Sequence, residues 1–264
     1  MIETFNTVST GYDNRALRFF SESAKCMAAY LDAPDIRRVL DVATGTGNLA
    51  LEIARNFPGA RVTGIDFSPG MLARARAKAE ADNIRNVEFL EMDMHEITLP
   101  DGHFDAAVCA FGVFFAEDMV MQLRHIADKV RPGGKVVICC FFEDSFQPLV
   151  EIFSKRLEQY GVERPSLRWK LIATEPKCRA LLRDAGLEEI GVERNNHGYY
   201  LKDAAGWWDV IWNAGFRSQV SQLSTDYLKK FKEEHLREIG ALRTKEGIWL
   251  NVNVLYTTGN RPAR

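Results

Sequence analysis

The chain has 264 residues, 46% of them apolar, and a formal net charge of −2 at pH 7. This length and composition predict an α/β domain with an ample core, and the charge argues against a nucleic-acid partner. The chain has no long uncharged apolar run and no basic N-terminus, so we expect a cytoplasmic protein without a membrane span. The five cysteines have no C-x-x-C spacing, which predicts neither a metal site nor a disulfide.

The stretch VLDVATGTGNLAL, residues 39–51, joins an apolar strand to a glycine loop and a helix start. Gly45 and Gly47 lack a β-carbon, so the backbone can turn sharply and let a ligand lie against it, near the free N–H groups of the helix. Asp66 ends the second apolar strand, where an acidic residue binds ribose hydroxyls in doubly wound folds. Together these features predict a nucleoside ligand.

Three more strands follow in chain order. The third, VEFLEMD, ends at Asp93; the fourth begins at Phe104; and the turn 132–134 leads into the fifth. The glycine loop by itself also fits the dinucleotide pattern G-x-G-x-x-G/A, which is a weak signal. An NAD(P)-dependent oxidoreductase therefore remains an alternative at this point.

The ordered set of motifs resembles the class I S-adenosylmethionine (SAM) dependent methyltransferases over about the first 140 residues. Asp41 before the glycines, Asp93 with Met94, and the RPGG turn favour SAM over a dinucleotide. The resemblance implies a Rossmann-like, doubly wound seven-stranded sheet with an antiparallel seventh strand, and S-adenosylhomocysteine (SAH) as product. It also implies that Asp93 binds the adenine amino group. The implied cofactor contacts are Tyr12, Asp41, Ala43, Gly45, Thr46, Gly47, Asp66, Phe67, Asp93, Met94 and Ala110.

Beyond the fifth strand, the pattern predicts helices over 148–160 and 174–185, with Gly186 as a C-cap, and a sixth strand over 187–194. Residues 203–216 and 223–239 have helical spacing, and a last strand is expected over 248–257. We therefore expect three parts. Residues 1–35 form a helical segment that closes over the cofactor, 36–146 form the cofactor-binding core, and 147–264 complete the sheet and carry a helical lid at about 199–246.

The lid would cover the site, because ligands of open α/β sheets bind beyond the carboxyl ends of the strands. Acceptor pockets are mostly apolar, so the expected substrate contacts are Phe111, Phe114, Phe115, Tyr200, Trp207, Trp208, Trp212 and Phe216. The alternative is that the tryptophans only pack the lid helices together. The charged run 229–238 is interpreted as a solvated helix face, with His235 on the surface.

Methyl transfer mainly requires alignment of donor and acceptor and exclusion of water. A base is needed only if the acceptor must lose a proton, and His197, in the turn after the sixth strand, is the candidate. Tyr12 and Asp13 resemble a Tyr-Asp pair that folds over the cofactor in this family. An aromatic ring near a sulfonium is electrostatically favourable.

The segments AFGVFF, EITLPDGHFD and VRPGGKVVI are similar to the ubiquinone and menaquinone biosynthesis C-methyltransferases. Phe114 and Phe115 stand where those enzymes have a polar pair, and the insertion after the sixth strand is longer, so the quinone substrate is not carried over. We expect a small apolar or aromatic acceptor, methylated on O, C or N, and allow for a homodimer. A protein that uses the fold for ligand binding or a non-methylating reaction is the second alternative.

Overall fold

The computed structural model describes residues 2–32, 36–163 and 167–263. Its helices are α1 (Ile2–Val8), α2 (Arg18–Ala28), α3 (Asn48–Asn56), α4 (Pro69–Ala81), α5 (Met119–Lys129), α6 (Leu149–Gln159), α7 (Glu175–Asp184), α8 (Ala204–Trp212), α9 (Arg217–Val220) and α10 (Thr225–Gly240). Its strands are β1 (Arg38–Val42), β2 (Arg61–Asp66), β3 (Val87–Glu91), β4 (Phe104–Ala110), β5 (Val130–Phe141), β6 (Glu188–Asn196), β7 (Tyr199–Leu201), β8 (Ile248–Leu250) and β9 (Asn253–Asn260). The domain boundary predicted near residue 35 and the chain end at 264 lie outside the described residues.

The main sheet has seven strands in the order β3-β2-β1-β4-β5-β9-β6. Strand β9 is antiparallel to both of its neighbours, and the other pairs are parallel. This confirms the predicted seven-stranded sheet with an antiparallel final strand. The strand order reverses between β1 and β4, so a crevice is expected at the carboxyl ends of these two strands.

Local sequence explains where several helices begin and end. The side chains of Ser68, Asp118 and Ser224 each accept a hydrogen bond from a backbone N–H in the first turn of α4, α5 and α10. The predicted C-cap at Gly186 is confirmed: φ is +88°, and its N–H donates to the carbonyl of Arg183 at 2.9 Å. These caps satisfy backbone groups that the helix itself leaves unpaired.

The last strand predicted over 248–257 is two strands. β8 pairs with β7 in a separate two-stranded sheet, whereas β9 lies in the main sheet. Between them the carbonyl of Asn251 accepts from the amide of Phe146, and the carbonyl of Val252 accepts from the amide of His197. Because these two carbonyls bond to loop residues, strand pairing is interrupted between β8 and β9. The alternating apolar pattern of the sequence nevertheless continues through this point.

The helices between β7 and β8 form a packed unit on α6. Trp207 of α8 is fully buried, and its indole N–H donates to Nε2 of His235 on α10 at 2.9 Å. The rings of Phe153 and Phe231 lie 5.6 and 5.5 Å from the His235 ring. The surface position predicted for His235 is therefore wrong, and burial lowers its pKa to about 4. Helix spacing alone did not show that this charged helix buries its histidine.

No helix in the described ranges is long and apolar enough to span a bilayer.

Trp207 and Trp249 provide a stability test. Trp207→Ala leaves a cavity among packed rings, so the free energy of unfolding should fall by about 3–5 kcal/mol. Trp249 is 42% exposed, and Trp249→Ala should cost less than about 1 kcal/mol. Urea unfolding followed by circular dichroism measures both. Equal losses of unfolding free energy in the two variants would contradict the packing described for the helices between β7 and β8.

Candidate functional site

A cleft lies at the carboxyl ends of β1, β2 and β4. It is therefore at the switch point of the sheet, where doubly wound folds bind ligands. The lining residues are Phe5, Tyr12, Ala43, Gly45, Asp66, Phe67, Met71, Met92, Asp93, Met94, His95, Ala110, Phe111, Gly112 and Phe115. A smaller extension of the cleft, at the glycine loop, adds Asp41, Thr44, Thr46 and Asn48. We call the cleft and this extension the nucleoside cleft.

The two loop glycines have different environments. Both have positive φ, +55° at Gly45 and +77° at Gly47. A β-carbon on Gly45 would meet no atom within 4 Å, so this position faces open space in the cleft. A β-carbon on Gly47 would lie 2.9 Å from the Ala75 β-carbon and 3.0 Å from the Phe89 ring. Gly47 therefore permits close packing beneath the loop, and among the predicted cofactor residues it is the one that does not line the cleft.

Asp66 connects the glycine loop to the start of α4. Its two carboxylate oxygens accept the backbone N–H groups of Gly45 and Ser68, both at 2.9 Å. Burial raises the pKa of this carboxyl, although the same hydrogen bonds favour the charged form. Each oxygen keeps a further lone pair, so the side chain can also accept hydrogen bonds from ligand hydroxyls.

Asp41 is a buried carboxyl below the glycine loop. One oxygen accepts the hydroxyl of Thr44 at 2.5 Å, and the other has no hydrogen-bond partner among the described residues. Burial raises its pKa to about 7. A cationic group placed in this part of the cleft would supply the missing partner and stabilise the charged carboxylate.

Asp93 lies at the opposite side of the cleft, after β3. One of its oxygens accepts both the backbone N–H of His95, at 2.9 Å, and the His95 ring nitrogen Nδ1, at 2.6 Å. Burial opposes ionisation of Asp93, but these hydrogen bonds outweigh it and lower the pKa. The carboxylate is therefore charged at neutral pH and can accept from an amino group.

The N-terminal segment is tied to the cleft at two points. The side-chain oxygen of Asn6 accepts the Ser68 hydroxyl at 2.7 Å and the Gly70 amide at 3.0 Å. Asp13 accepts the Thr46 hydroxyl at 2.8 Å and forms an ion pair with Lys78 at 3.2 Å. Phe5 and Tyr12 are each adjacent in sequence to one of these anchors, so the contacts hold both rings against the cleft.

A second cavity adjoins the nucleoside cleft. Phe5, Tyr12, Phe111 and Phe115 line both, so the two spaces meet at these rings. Its other lining residues are Phe19, Phe20, Phe114, Phe141, Phe146, Leu167, Arg168, Trp169, Val210, Ala214, Gly215, Phe216, Ser218 and Gln219. We call this space the aromatic cavity.

The structure brings together four of the predicted substrate residues. Phe111, Phe114, Phe115 and Phe216 line the aromatic cavity. The others, Tyr200, Trp207, Trp208 and Trp212, do not line it, which corrects their assignment as substrate contacts.

Side-chain packing explains where these other residues go. Trp207 faces the helix core, and the Trp208 ring stacks on that of Trp212 with centroids 5.8 Å apart. Tyr200 is exposed and packs on Trp249 of the small sheet. The helices between β7 and β8 thus direct their tryptophans into their own packing, while Phe216 lines the cavity.

His197 lies at the end of β6 and lines neither space. Its Nε2 is 2.6 Å from the hydroxyl of Tyr256 on β9, and burial lowers the pKa of its ring. The carbonyl of Val252 accepts from its backbone amide at 2.7 Å. His197 therefore contributes to the contact between β6 and β9, and its environment gives no support to a role as catalytic base.

Several cavity residues were not predicted from the sequence. Phe5 and the pair Phe19 and Phe20 belong to the N-terminal helical region, whereas Phe141 ends the fifth strand and Phe146 follows it. The high density of phenylalanine in these two stretches was a usable signal. Gln219 carried no such signal, because an isolated glutamine on a short helix is usually exposed.

Comparisons with known proteins agree with this geometry. A family described as a methyltransferase domain matches residues 39–134. Demethylmenaquinone methyltransferase from Corynebacterium kroppenstedtii is 30% identical over 210 residues, which cover 78% of this chain and 81% of that protein. The chain belongs to the class I SAM-dependent methyltransferases.

Two further comparisons set the extent of this match. Demethylmenaquinone methyltransferase from Thermus thermophilus is 47% identical over 105 residues, or 40% of this chain, and the chain spans about half of that protein, 47%. The solved structure of the YcgJ protein from Bacillus subtilis has a TM-score of 0.61 at 17% identity, covering 91% of this chain and 98% of that one. The structural likeness supports the Rossmann-like fold.

The two loop glycines give a matched pair of substitutions. Gly45→Ala and Gly47→Ala both place a β-carbon at positive φ, which costs about 1–2 kcal/mol. Gly47→Ala should lose about a further 1–3 kcal/mol of unfolding free energy, because its β-carbon meets Ala75 and Phe89. Urea unfolding of the two variants without ligand measures the difference. A larger loss at Gly45 would contradict the packing role of Gly47.

Proposed function

We propose that the protein transfers the methyl group of SAM to a small, uncharged, apolar or aromatic acceptor. The observation that carries the proposal is the junction of the two spaces. A cleft with three carboxylates opens, through the rings of Tyr12, Phe111 and Phe115, into a cavity lined mainly by aromatic side chains. A polar, cationic nucleoside suits the first space and an apolar molecule suits the second.

Each of the three carboxylates is assigned to a different part of the cofactor. Asp66 is suited to the ribose hydroxyls and Asp93 to the adenine amino group, as the family resemblance implies. Asp41 lies near the glycine loop with an unpartnered oxygen, which suits the amino group of the methionine part. Ala43, Gly45, Thr46, Phe67, Met94 and Ala110 complete the wall of this cleft.

SAM, when bound, supplies a methyl group already activated by the sulfonium. The protein then has to align the acceptor and keep water out. The shared rings of Phe5, Tyr12, Phe111 and Phe115 would surround the point of transfer, and aromatic faces favour a neighbouring positive charge. Tyr12 and Arg168 are the titratable residues among the described residues that line the aromatic cavity. Burial raises the pKa of Tyr12, so its hydroxyl stays protonated. The proposed reaction therefore relies on alignment of donor and acceptor and not on a catalytic base.

Calorimetry with SAH and with NADH tests the cofactor assignment directly. Wild-type protein should bind SAH and not NADH. Asp93→Ala removes a charge-assisted hydrogen bond and should weaken SAH by about 10-fold to 150-fold, whereas Asp101→Ala, a control at a carboxylate outside the cleft, should leave it unchanged. Methyl transfer from labelled SAM to a panel of aromatic acceptors tests the reaction. NADH binding, or SAH binding without any methylated product, would argue for the oxidoreductase or the non-methylating alternative.

Asp41 predicts a pH dependence of binding. At pH 6 the carboxyl is mostly protonated, since its pKa is about 7, and a cationic amino group requires it ionised. SAH should therefore bind about tenfold more weakly at pH 6 than at pH 8. 5′-Methylthioadenosine lacks the amino-acid part, so its affinity should not depend on the ionisation of Asp41. Asp41→Asn should likewise remove this pH dependence from SAH binding. Calorimetry at pH 6 and pH 8 measures these affinities. The same change in affinity with pH for both ligands would rule out the proposed pairing of Asp41 with the amino group.

A further inference from the structure

A residue of the aromatic cavity has a buried polar atom without a hydrogen bond. Gln219 of α9 lines the cavity, and its Oε1 atom is fully buried without a partner among the described residues. Buried polar atoms are normally paired, so an exception indicates either a strained structure or a missing ligand. Because Gln219 lines the aromatic cavity, we favour a ligand as the missing partner.

The neighbouring polar groups of the cavity already have partners within the protein. The guanidinium of Arg168 donates to the carbonyls of Phe114, at 3.1 Å, and Ala116, at 2.6 Å. The hydroxyl of Ser218 donates to the carbonyl of Gly215 at 3.0 Å. Both groups are therefore already engaged within the protein, and Arg168 stabilises the turn after Gly112. Gln219 is thus the polar side chain of this wall that a ligand would complete.

Gln219 is also placed away from the reacting centre. The residues shared by the two spaces are Phe5, Tyr12, Phe20, Phe111 and Phe115, whereas Gln219 lines only the aromatic cavity. A group bound to Gln219 would therefore be on the lid side of the acceptor, and the atom that takes the methyl group would face the shared rings. Contacts at two ends of a flat molecule fix its orientation, which is what alignment requires.

We propose that Gln219 is a specificity-determining residue that accepts a hydrogen bond from an O–H or N–H group of the acceptor. This rests on the proposed function and narrows its substrate class. The acceptor is an uncharged ring compound with a hydrogen-bond donor on the side remote from the methylated atom. The surrounding rings supply the apolar contact, and the amide oxygen selects the molecule and its orientation.

Two naphthalene probes test the proposal in SAH-loaded protein, which has no methyl group to transfer. 2-Naphthol carries a donor, and 2-methoxynaphthalene has the same ring without one. Wild-type protein should bind 2-naphthol about tenfold more tightly. Gln219→Met keeps the length of the side chain but removes the amide, so this preference should fall below about twofold. Gln219→Glu keeps an acceptor oxygen and should retain the preference. Affinities are measured by calorimetry or by ligand-observed NMR titration.

Ser218→Ala is the matched control, because it removes a polar group from the same wall whose hydrogen bond is internal. It should leave the ratio of the two affinities unchanged. An unchanged ratio in Gln219→Met, or a wild-type protein that binds neither naphthalene, would overturn the role of Gln219. SAH binding is measured separately for each protein. A wild type that fails to bind SAH would overturn the proposed function itself, whereas normal SAH binding with an unchanged ratio would overturn only this inference.

Discussion

The carboxylate of Asp66 is the contact on which the nucleoside cleft depends. By accepting one amide from the glycine loop and one from the start of α4, it fixes two loops that follow different strands. The amide of Thr44 adds a hydrogen bond to the carbonyl of Ile65, which closes the same edge of the sheet. Because a carboxylate accepts about four hydrogen bonds, the residue can hold the empty cleft in shape and still bind a ribose. Substitution of Asp66 would disturb both the loop geometry and ligand binding. Substitution of Asp93 is therefore the better test of ligand affinity alone.

The N-terminal segment is part of both spaces, which links them physically. Asn6 and Asp13 attach it to α4 and to the glycine loop, and Phe5 and Tyr12, close to these anchors, line both the cleft and the cavity. A ligand that orders this segment from one side would reduce the cost of ordering it from the other. Cofactor and acceptor are therefore expected to bind with positive coupling, with reciprocal effects on their affinities. The closing role predicted for residues 1–35 is consistent with these contacts and stays a prediction.

The sequence predicted the sheet and the nucleoside cleft well, because those features depend on local patterns. Glycines after a strand, an acidic residue at a strand end and a capped helix each have a nearby physical cause. The lid could not be predicted to the same depth. Helical spacing shows that Trp207 and Phe216 lie on apolar faces, but only tertiary packing decides that the first joins His235 in the core and the second faces the cavity. For the same reason the turn position of His197 could not reveal its contact with Tyr256.

The two spaces share rings from the N-terminal segment and from the residues after β4, but the aromatic cavity has a further wall that the nucleoside cleft lacks. The family match covers residues 39–134, which include the glycine loop and the carboxylates of the nucleoside cleft. Gln219 and Phe216 belong to the insertion between β6 and β9, beyond that match. The aromatic cavity offers many rings but few free polar atoms, so apolar contact alone would discriminate weakly between similar ring compounds. A single buried acceptor oxygen adds discrimination because a ligand without a donor leaves it unpaired. Under the proposed function, the insertion would therefore add selectivity for the acceptor to a cavity whose other walls come from the remainder of the chain.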